Sequence, residues 1–399
     1  MLTGWTDQIP VLASQQWKAF RATGRPRGRH PWEDKAAMTG PSLLAPDADR
    51  IDADWMTSAL RQAGALREGR VASLTKTPVG AGLVGDSFRF DLTYQAAELG
   101  APSSVVGKFP AKDPVSRKSG SDHILYLREV SFYREMAKRV DIRTPKTLVA
   151  EIDPETDDFT LIFEDLGPAR QGDQLAGCSP EDASIAISEA AALHAPLWGV
   201  ESLATLDWLA IRPATLQPMV LGLLPAVIGL FQDRYQGVLE PEFMALVQRL
   251  PDLQARIGQD HSAPRTVQHA DFRLDNILFD IQGGKAPMAT LDWQTVALGV
   301  GACDVAYFLS AGLSPEDRRA HEKDLVGLYH RELVKRGVTD YGREDAWRDY
   351  RRYTVHGILM GVFSALSVER TERGDALFLK MTRGACEQAL DLDTLAFWL

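Results

Sequence analysis

Apolar positions along the chain follow two different periods. Between residues 70 and 164 they come as short β-branched and aromatic runs, RVASLTKT (70–77), SFRFDLTY (87–94), SVVGKF (104–109), KTLVAEI (146–152) and FTLIFE (159–164), which predict strands. Helical spacing begins near Trp55, and one helix is expected between the third and fourth runs, over about 122–139. From Glu181 onward the pattern is mostly helical, interrupted by strand-like VQHAD (267–271), NILFD (276–280) and MATLDW (288–293). A β-rich first part joined to a helical second part predicts an α+β, bilobal architecture with a cleft. The expected division is an N-terminal extension (1–50), an N-lobe (51–164) and a C-lobe (165–399). The most apolar stretch, residues 216–231, is too short for a membrane span and is interrupted by Pro218 and Pro225, so it reads as a buried helical segment or pocket wall.

Composition narrows the choice of function. Of 399 residues, 45% are hydrophobic and 25% charged, as in an ordinary globular protein rather than a disordered one. Lys and Arg total 44 against 54 Asp and Glu, a net charge of -10, which lacks the basic field a nucleic-acid binder needs, so no nucleic-acid partner is expected. The basic cluster RATGRPRGRHP (21–31) reads as a solvated arm. Cys178, Cys303 and Cys386 lie far apart without CxxC spacing, which argues against a disulfide framework or a cysteine zinc site. With no signal-peptide pattern in MLTGWTDQIP and no membrane partner expected, the cytoplasm is the default location.

The richest stretch chemically is HADFRLDNILFD (269–280), where His269, Asp271 and Asn276 form H-x-D-x-x-x-x-N and Asn276 is the chain's only asparagine. A carboxylate on a tight loop can orient a hydroxyl's proton, and an amide oxygen close by can hold Mg²⁺ together with phosphate oxygens. Sixteen residues beyond Asn276, Asp292 ends an apolar strand-like run in ATLDWQTV, a spacing that allows a hairpin return. Such an Asp would coordinate Mg²⁺ bridging nucleotide phosphates.

These motifs resemble the protein-kinase-like superfamily, in its small-molecule branch of aminoglycoside phosphotransferases, choline kinases and ecdysteroid-kinase-like proteins. The resemblance covers about residues 55–399 and implies a small β-rich N-lobe and a larger, mainly helical C-lobe with a nucleotide cleft between them. Asp292-Trp293-Gln294 looks like the family's metal-binding tripeptide. By resemblance, Asp271 is the catalytic base, while Asn276 and Asp292 bind Mg²⁺. Gly80, Gly82 and Gly85 in VGAGLVGDSFRFDL (79–92) have G-x-G-x-x-G spacing followed by a strand, which suits a loop folding over phosphates better than a dinucleotide fingerprint; a plain hairpin turn is the alternative. Lys108 stands where the family places its phosphate lysine. Its carboxylate partner should be Glu129, which falls on the apolar stripe of the 122–139 helix, whereas Glu135 lines up with Arg128, Ser131 and Lys138 on a polar face. FTLIFEDLG (159–167) resembles the hinge that meets adenine, with Glu164, Asp165 and Leu166 as candidates.

Ala270 replaces the arginine of protein kinases' H-R-D, and only twelve positions separate Asp292 from Asp304, so a small-molecule acceptor is favoured over a peptide. By resemblance, Asp304 supports the catalytic loop. Arg273 could stabilise transferring charge or pair with Asp275. His194, alone among Ala and Leu, reads as a satisfied core residue. The expected activity is ATP- and Mg²⁺-dependent phosphorylation of a hydroxyl on a small organic molecule. Residues 301–350 carry nearly as many basic as acidic groups, which suits a neutral, partly hydrophobic acceptor. Met219, Leu223, Leu224, Val227, Ile228, Phe231, Trp347, Tyr350 and Tyr353 could line its pocket or simply form core. An aminoglycoside phosphotransferase and a non-catalytic, kinase-like nucleotide-binding module remain alternatives.

Overall fold

The computed structural model describes residues 42–80, 84–96, 98–211, 217–367 and 370–398. The basic cluster 21–31, most of the N-terminal extension and Gly82 lie outside them. The chain forms two compact units, the first ending at Val130 and taking in Lys146–Asp165, the second comprising Ser131–Pro145 and Leu166–Leu399. Ser131–Pro145, within the 51–164 stretch expected to form the N-lobe, thus belongs to the second unit, where the Asp141 N–H donates to the Ala192 carbonyl and the Arg143 N–H to Glu189 Oε2.

The first unit is built on a five-stranded antiparallel sheet. Its helix α1 (Ala53–Gln62) starts at Asp52, whose carboxylate accepts the Trp55 N–H, and buries Met56, Ala59 and Leu60. Then come β1 (Val71–Pro78), β2 (Gly85–Tyr94), β3 (Ser104–Pro110), α2 (Pro114–Asp122), α3 (Leu125–Ser131), β4 (Thr147–Ile152) and β5 (Phe159–Glu164), with the strands in the order β1-β2-β3-β5-β4. Phe90, Leu92, Val105, Phe109, Val149 and Ile162 pack with the α1 residues in one core. The end of the extension is laid on this sheet: the Leu43 N–H donates to Glu151 Oε1 and the Ala45 N–H to Thr160 Oγ1. The helix expected over 122–139 is found as α3 and the π-helical turn that follows it, Phe132–Met136, and a second helix, α2, precedes it, the two helices being parted at left-handed Ile124 (φ 53°). The first of the two was missed because PVSRKSGSD has almost no apolar stripe; the carboxylate of Asp113 starts it by accepting the Ser116 N–H.

In the second unit, β6 (Arg170–Gln171) joins β8 (Ile277–Asp280) and β9 (Ala286–Thr290) in one small sheet, and β7 (Thr266–Gln268) pairs with β10 (Ala297–Gly299) in another. The principal helices are α4 (Pro180–His194), α5 (Gln217–Tyr235), α6 (Pro241–Gln248), α7 (Leu250–Gln259), α8 (Ala302–Gly312), α9 (Pro315–Lys335), α10 (Arg343–Arg352), α11 (Val355–Ser367) and α12 (Glu372–Asp391). Helix α8 is buried along its whole length. The α12 helix approaches it so closely that a Cβ on Gly384 would lie 2.1 Å from the Ser310 carbonyl oxygen.

The strand-like run 267–271 ends early, at Gln268, because Ala270 takes a left-handed conformation (φ 65°). Most of the apolar residues named as pocket candidates turn out to be core. Leu224, Val227, Ile228 and Phe231 are the buried face of α5, and the Tyr350 hydroxyl donates to Glu322 Oε2 while accepting from Gln388. Tyr353 is buried with its hydroxyl on Asp260, Leu223 and Trp347 are half-buried, and the Met219 side chain lies outside the described residues. Among the described residues no helix is long and apolar enough to cross a membrane.

Candidate functional site

In the first unit, β1 and β2 are joined by the glycine-rich connection. The Val79 N–H donates to the Ser87 carbonyl (3.0 Å), and Gly80 then turns with φ 74°, where a Cβ would meet nothing within 4 Å. Its glycine is therefore required by conformation rather than by space. Gly85 opens β2 opposite Pro110. The Tyr126 hydroxyl of α3 donates to the Val84 carbonyl (2.6 Å), tying the end of this connection to the helix that carries Glu129. Gly120 makes room for that ring, since a Cβ there would lie 2.3 Å from it.

Lys108 lies within β3, with Ser87 beside it on β2 and Leu161 on β5. Its Nζ is 2.8 Å from Glu129 Oε1, with Glu129 1% and Lys108 12% exposed. Glu129 faces inward because it follows Tyr126 and precedes Phe132 by one helical turn each, and both rings are buried. Glu135 instead accepts the Trp208 indole N–H (3.1 Å) within the second unit. Breaking a buried pair of this kind by removing one partner costs about 3–5 kcal/mol. At the end of β5, the N–H of Glu164 donates to the Lys146 carbonyl and its Oε1 accepts the Lys146 N–H. Asp165 accepts from Ser104 Oγ (2.7 Å) and Arg89 (2.9 Å). Leu166 belongs to the second unit, where its side chain packs with Ile281 and Ala289 and its carbonyl accepts the Gln282 N–H.

The second unit gathers the H-x-D-x-x-x-x-N residues. Asp304, on α8, anchors the loop: its Oδ2 accepts the His269 N–H (2.7 Å) and its Oδ1 the Ala270 N–H (2.9 Å). Its third partner is His194 Nε2 (3.2 Å), whose Nδ1 accepts from Tyr329 (2.8 Å). Burial alone would raise the Asp304 pKa, but the His194 hydrogen bond and the facing imidazole and amide dipoles outweigh it and hold the carboxyl below its usual value. His194 is thus a fully bonded core residue that orients Asp304.

The His269 Nε2–H donates to the Leu291 carbonyl (2.9 Å), so its Nδ1 is the acceptor for the Asp271 N–H (3.3 Å), an assignment made by the network. The carboxylate of Asp271 gathers donors from three side chains. Tyr307 on α8 donates to Oδ1 (3.0 Å), Asn276 Nδ2 to Oδ2 (2.9 Å), and Arg273 Nε reaches both oxygens at 3.1 and 3.2 Å. Arg273 also bonds Asp275. Burial would lower the pKa of its guanidinium, yet the Asp271 charge, with Tyr307 and Asp275, carries it above the ordinary arginine value. Burial, then the Asp271 charge, pushes the Tyr307 phenol well above its usual range, which keeps it a donor.

The β8–β9 ladder brings the main chain of Asp292 close to that of Asn276. Ile277 faces Thr290, and one step further the Leu291 N–H donates to the Asn276 carbonyl (2.8 Å), which brings Asp292 to the next position along. With its amide nitrogen spent on the main chain and carboxylate of Asp271, Asn276 has the amide oxygen left for another partner. Asp292 takes a left-handed φ of 59°. Beside it the Trp293 ring stacks on Phe132 of the π-helical turn, centroids 3.7 Å apart and planes 6° from parallel. Among the described residues no three His, Cys, Asp or Glu side chains gather for a metal. One amide oxygen and one carboxylate still fit Mg²⁺, which keeps much of its shell for water and phosphate oxygens.

Sequence reasoning missed Tyr307, Tyr126 and His356, whose Nε2 bonds the Ala270 carbonyl (2.9 Å). A tyrosine in the apolar run DVAYFL gives no sign of a partner elsewhere in the chain.

No curated protein sequence matches this chain. Among solved structures, choline kinase from Cryptosporidium parvum Iowa II matches 82% of this chain and 93% of its own at 10% identity, with a TM-score of 0.51. The ADP-bound aminoglycoside phosphotransferase APH(2'')-Ib matches 79% of this chain and 94% of its own at 13% identity and a TM-score of 0.47. A Plasmodium vivax ethanolamine kinase matches 78% and 81% at 10% identity and a TM-score of 0.47. At these identities the likeness is one of fold, and the α+β, protein-kinase-like architecture expected from the sequence is the one found. The profile of the ecdysteroid kinase-like family matches residues 80–338, well over half of the chain, from Gly80 through the HADFRLDN loop to α9. The chain belongs to the ecdysteroid kinase-like family.

Proposed function

We propose that the protein is a phosphotransferase that moves the γ-phosphoryl group of ATP, with Mg²⁺, to the hydroxyl of a small, neutral and largely apolar alcohol. The observation that carries this reading is the partly buried Asp271 carboxylate, fixed by Tyr307, Arg273 and Asn276. Phosphoryl transfer asks mainly for positioning and charge stabilisation, because its transition state is loose. A carboxylate held by three side chains suits that need: it orients the acceptor hydroxyl and receives its proton late. Lys108, held in place by Glu129, would hold the α- and β-phosphates. Gly80, Gly82 and Gly85 would let the main chain fold over them, and Glu164 and Leu166 would meet adenine. Asn276 and Asp292 would hold Mg²⁺, which neutralises charge on the phosphates when bound. Arg273, its charge held by two carboxylates, stands ready to stabilise the transferring group.

An apolar acceptor is supported by α11. Leu359, Met360 and Phe363 follow His356 at i+3, i+4 and i+7 and stay half-buried, forming an apolar stripe that starts at the catalytic loop. The three cysteines are free thiols, which accords with a cytoplasmic setting.

The test is coupled ADP release with Mg²⁺-ATP and pooled hydroxylated metabolites, namely sterols, terpenoids, sugars and aminoglycosides, comparing the wild type with Asp292→Ala. Stimulation by an apolar-alcohol pool, abolished in the variant, supports the reading. Stimulation by aminoglycosides alone would replace the acceptor, and no stimulation by any pool while ATP raises the melting temperature would favour a binding module.

A further inference from the structure

His356, the second residue of α11, is placed by its contacts to do more than fill space. Its Nε2 lies 2.9 Å from the carbonyl oxygen of Ala270, and since a carbonyl only accepts, that nitrogen carries the hydrogen. The peptide it grips joins Ala270 to Asp271. The N–H of the same peptide donates to His269 Nδ1 (3.3 Å), so both polar atoms of the unit that carries Asp271 are held, one by each imidazole. Ala270 is fully buried in a left-handed conformation (φ 65°) that residues other than glycine seldom adopt. Its own N–H is fixed by Asp304. A peptide in such a conformation keeps it only when its surroundings over-determine it. The His356 ring also stands edge-on to Tyr307 (centroids 5.5 Å apart, 88°), the residue whose hydroxyl bonds Asp271 Oδ1.

We propose that His356 is a positioning residue: by holding the Ala270 carbonyl it fixes the rotation of the 270–271 peptide and so the direction of the Asp271 carboxylate. It acts through the main chain and touches no reacting atom. Its role in turnover rests on the phosphotransferase reading; its hold on the loop does not. Glutamine can place its amide nitrogen where the Nε2 stands and donate to the same carbonyl, whereas alanine cannot.

The full-length wild type, His356→Ala and His356→Gln are compared in two ways. Hydrogen exchange followed by mass spectrometry on peptides covering residues 266–276, with no ligand added, should show exchange about tenfold faster in His356→Ala, the effect of one lost hydrogen bond. His356→Gln should restore protection. In coupled ADP release, His356→Ala should lower kcat by roughly ten- to a hundredfold while the KM for ATP stays within about twofold, and His356→Gln should recover most of kcat. A simple packing role would leave glutamine as poor as alanine, and that outcome overturns the proposal. Unchanged exchange in His356→Ala overturns it too. A wild type that releases no ADP with any acceptor overturns the phosphotransferase reading alone, because the exchange comparison still decides whether His356 holds the loop.

Discussion

Replacing Asp304 tests the claim that one buried carboxylate organises the loop that carries His269, Ala270 and Asp271. Asp304 is fully buried and accepts three hydrogen bonds, from the His269 and Ala270 amides at 2.7 and 2.9 Å and from His194 at 3.2 Å. Hydrogen bonds to a charged acceptor contribute about 1.5–3 kcal/mol each, and their loss leaves buried donors unsatisfied. Offset by some relaxation of the loop, Asp304→Ala should destabilise the second unit by about 3–5 kcal/mol, a fall of roughly 10 °C in melting temperature for a unit of this size. Asp304→Asn keeps one acceptor oxygen and should cost about half as much. Urea unfolding followed by tryptophan fluorescence measures both, and repeating it across pH adds a check on sign. The Asp304 pKa is lowered from 3.8 in the folded chain, so its contribution is complete above that value and is lost as pH falls through the lower folded one. The gap between wild type and Asp304→Ala should therefore stay constant from pH 7 down to about 4 and shrink only below it. A loss under about 1 kcal/mol for both variants, or a gap that shrinks near neutral pH, would refute the reasoning.

Three further outcomes follow from the same geometry. A double-mutant cycle on Lys108→Met and Glu129→Gln should give a coupling of about 2 kcal/mol or more in urea unfolding, given a 2.8 Å pair with Glu129 at 1% exposure; a value under about 0.5 kcal/mol would show that the two do not act as a pair. Tyr307→Phe removes the donor on Asp271 Oδ1 and should lower kcat by roughly tenfold with little change in the KM for ATP, whereas an unchanged kcat would show that this hydroxyl does not orient the carboxylate. Gly384→Ala places a methyl group 2.1 Å from the Ser310 carbonyl oxygen and should cost about 1–3 kcal/mol in thermal unfolding, so a neutral variant would mean that α12 does not press on α8 as described.

The groups proposed for the chemistry each stand on a local sequence pattern, which is why the sequence offers them as candidates. Asn276 and Asp292 are sixteen residues apart, but an antiparallel ladder turns that spacing into nearby positions, and the two short apolar runs in NILFD and MATLDW make the ladder legible. Glu129 could be told from Glu135 because a helical stripe has a phase, and the phase at Glu129 is undisturbed because the π-helical turn begins only after it. No local pattern marks the residues that hold those groups still. Tyr307 reaches Asp271 from 36 positions away and His356 reaches Ala270 from 86, each on a helix whose apolar periodicity says only that one side is buried. The same blindness made Tyr350 and Tyr353 pocket candidates, since a buried wall and a ligand-facing wall share one period. The left-handed φ of Ala270 was equally hidden, because its cause lies outside the HADF segment, in Asp304 and His356. Local sequence thus specifies which groups could react, and distant helices specify the angle at which they are held. If the protein is the phosphotransferase proposed above, changes on α8 and α11 should therefore act on kcat while leaving nearly intact the nucleotide binding assigned by that proposal to Lys108, and a variant of either helix that weakened only nucleotide affinity would break that division.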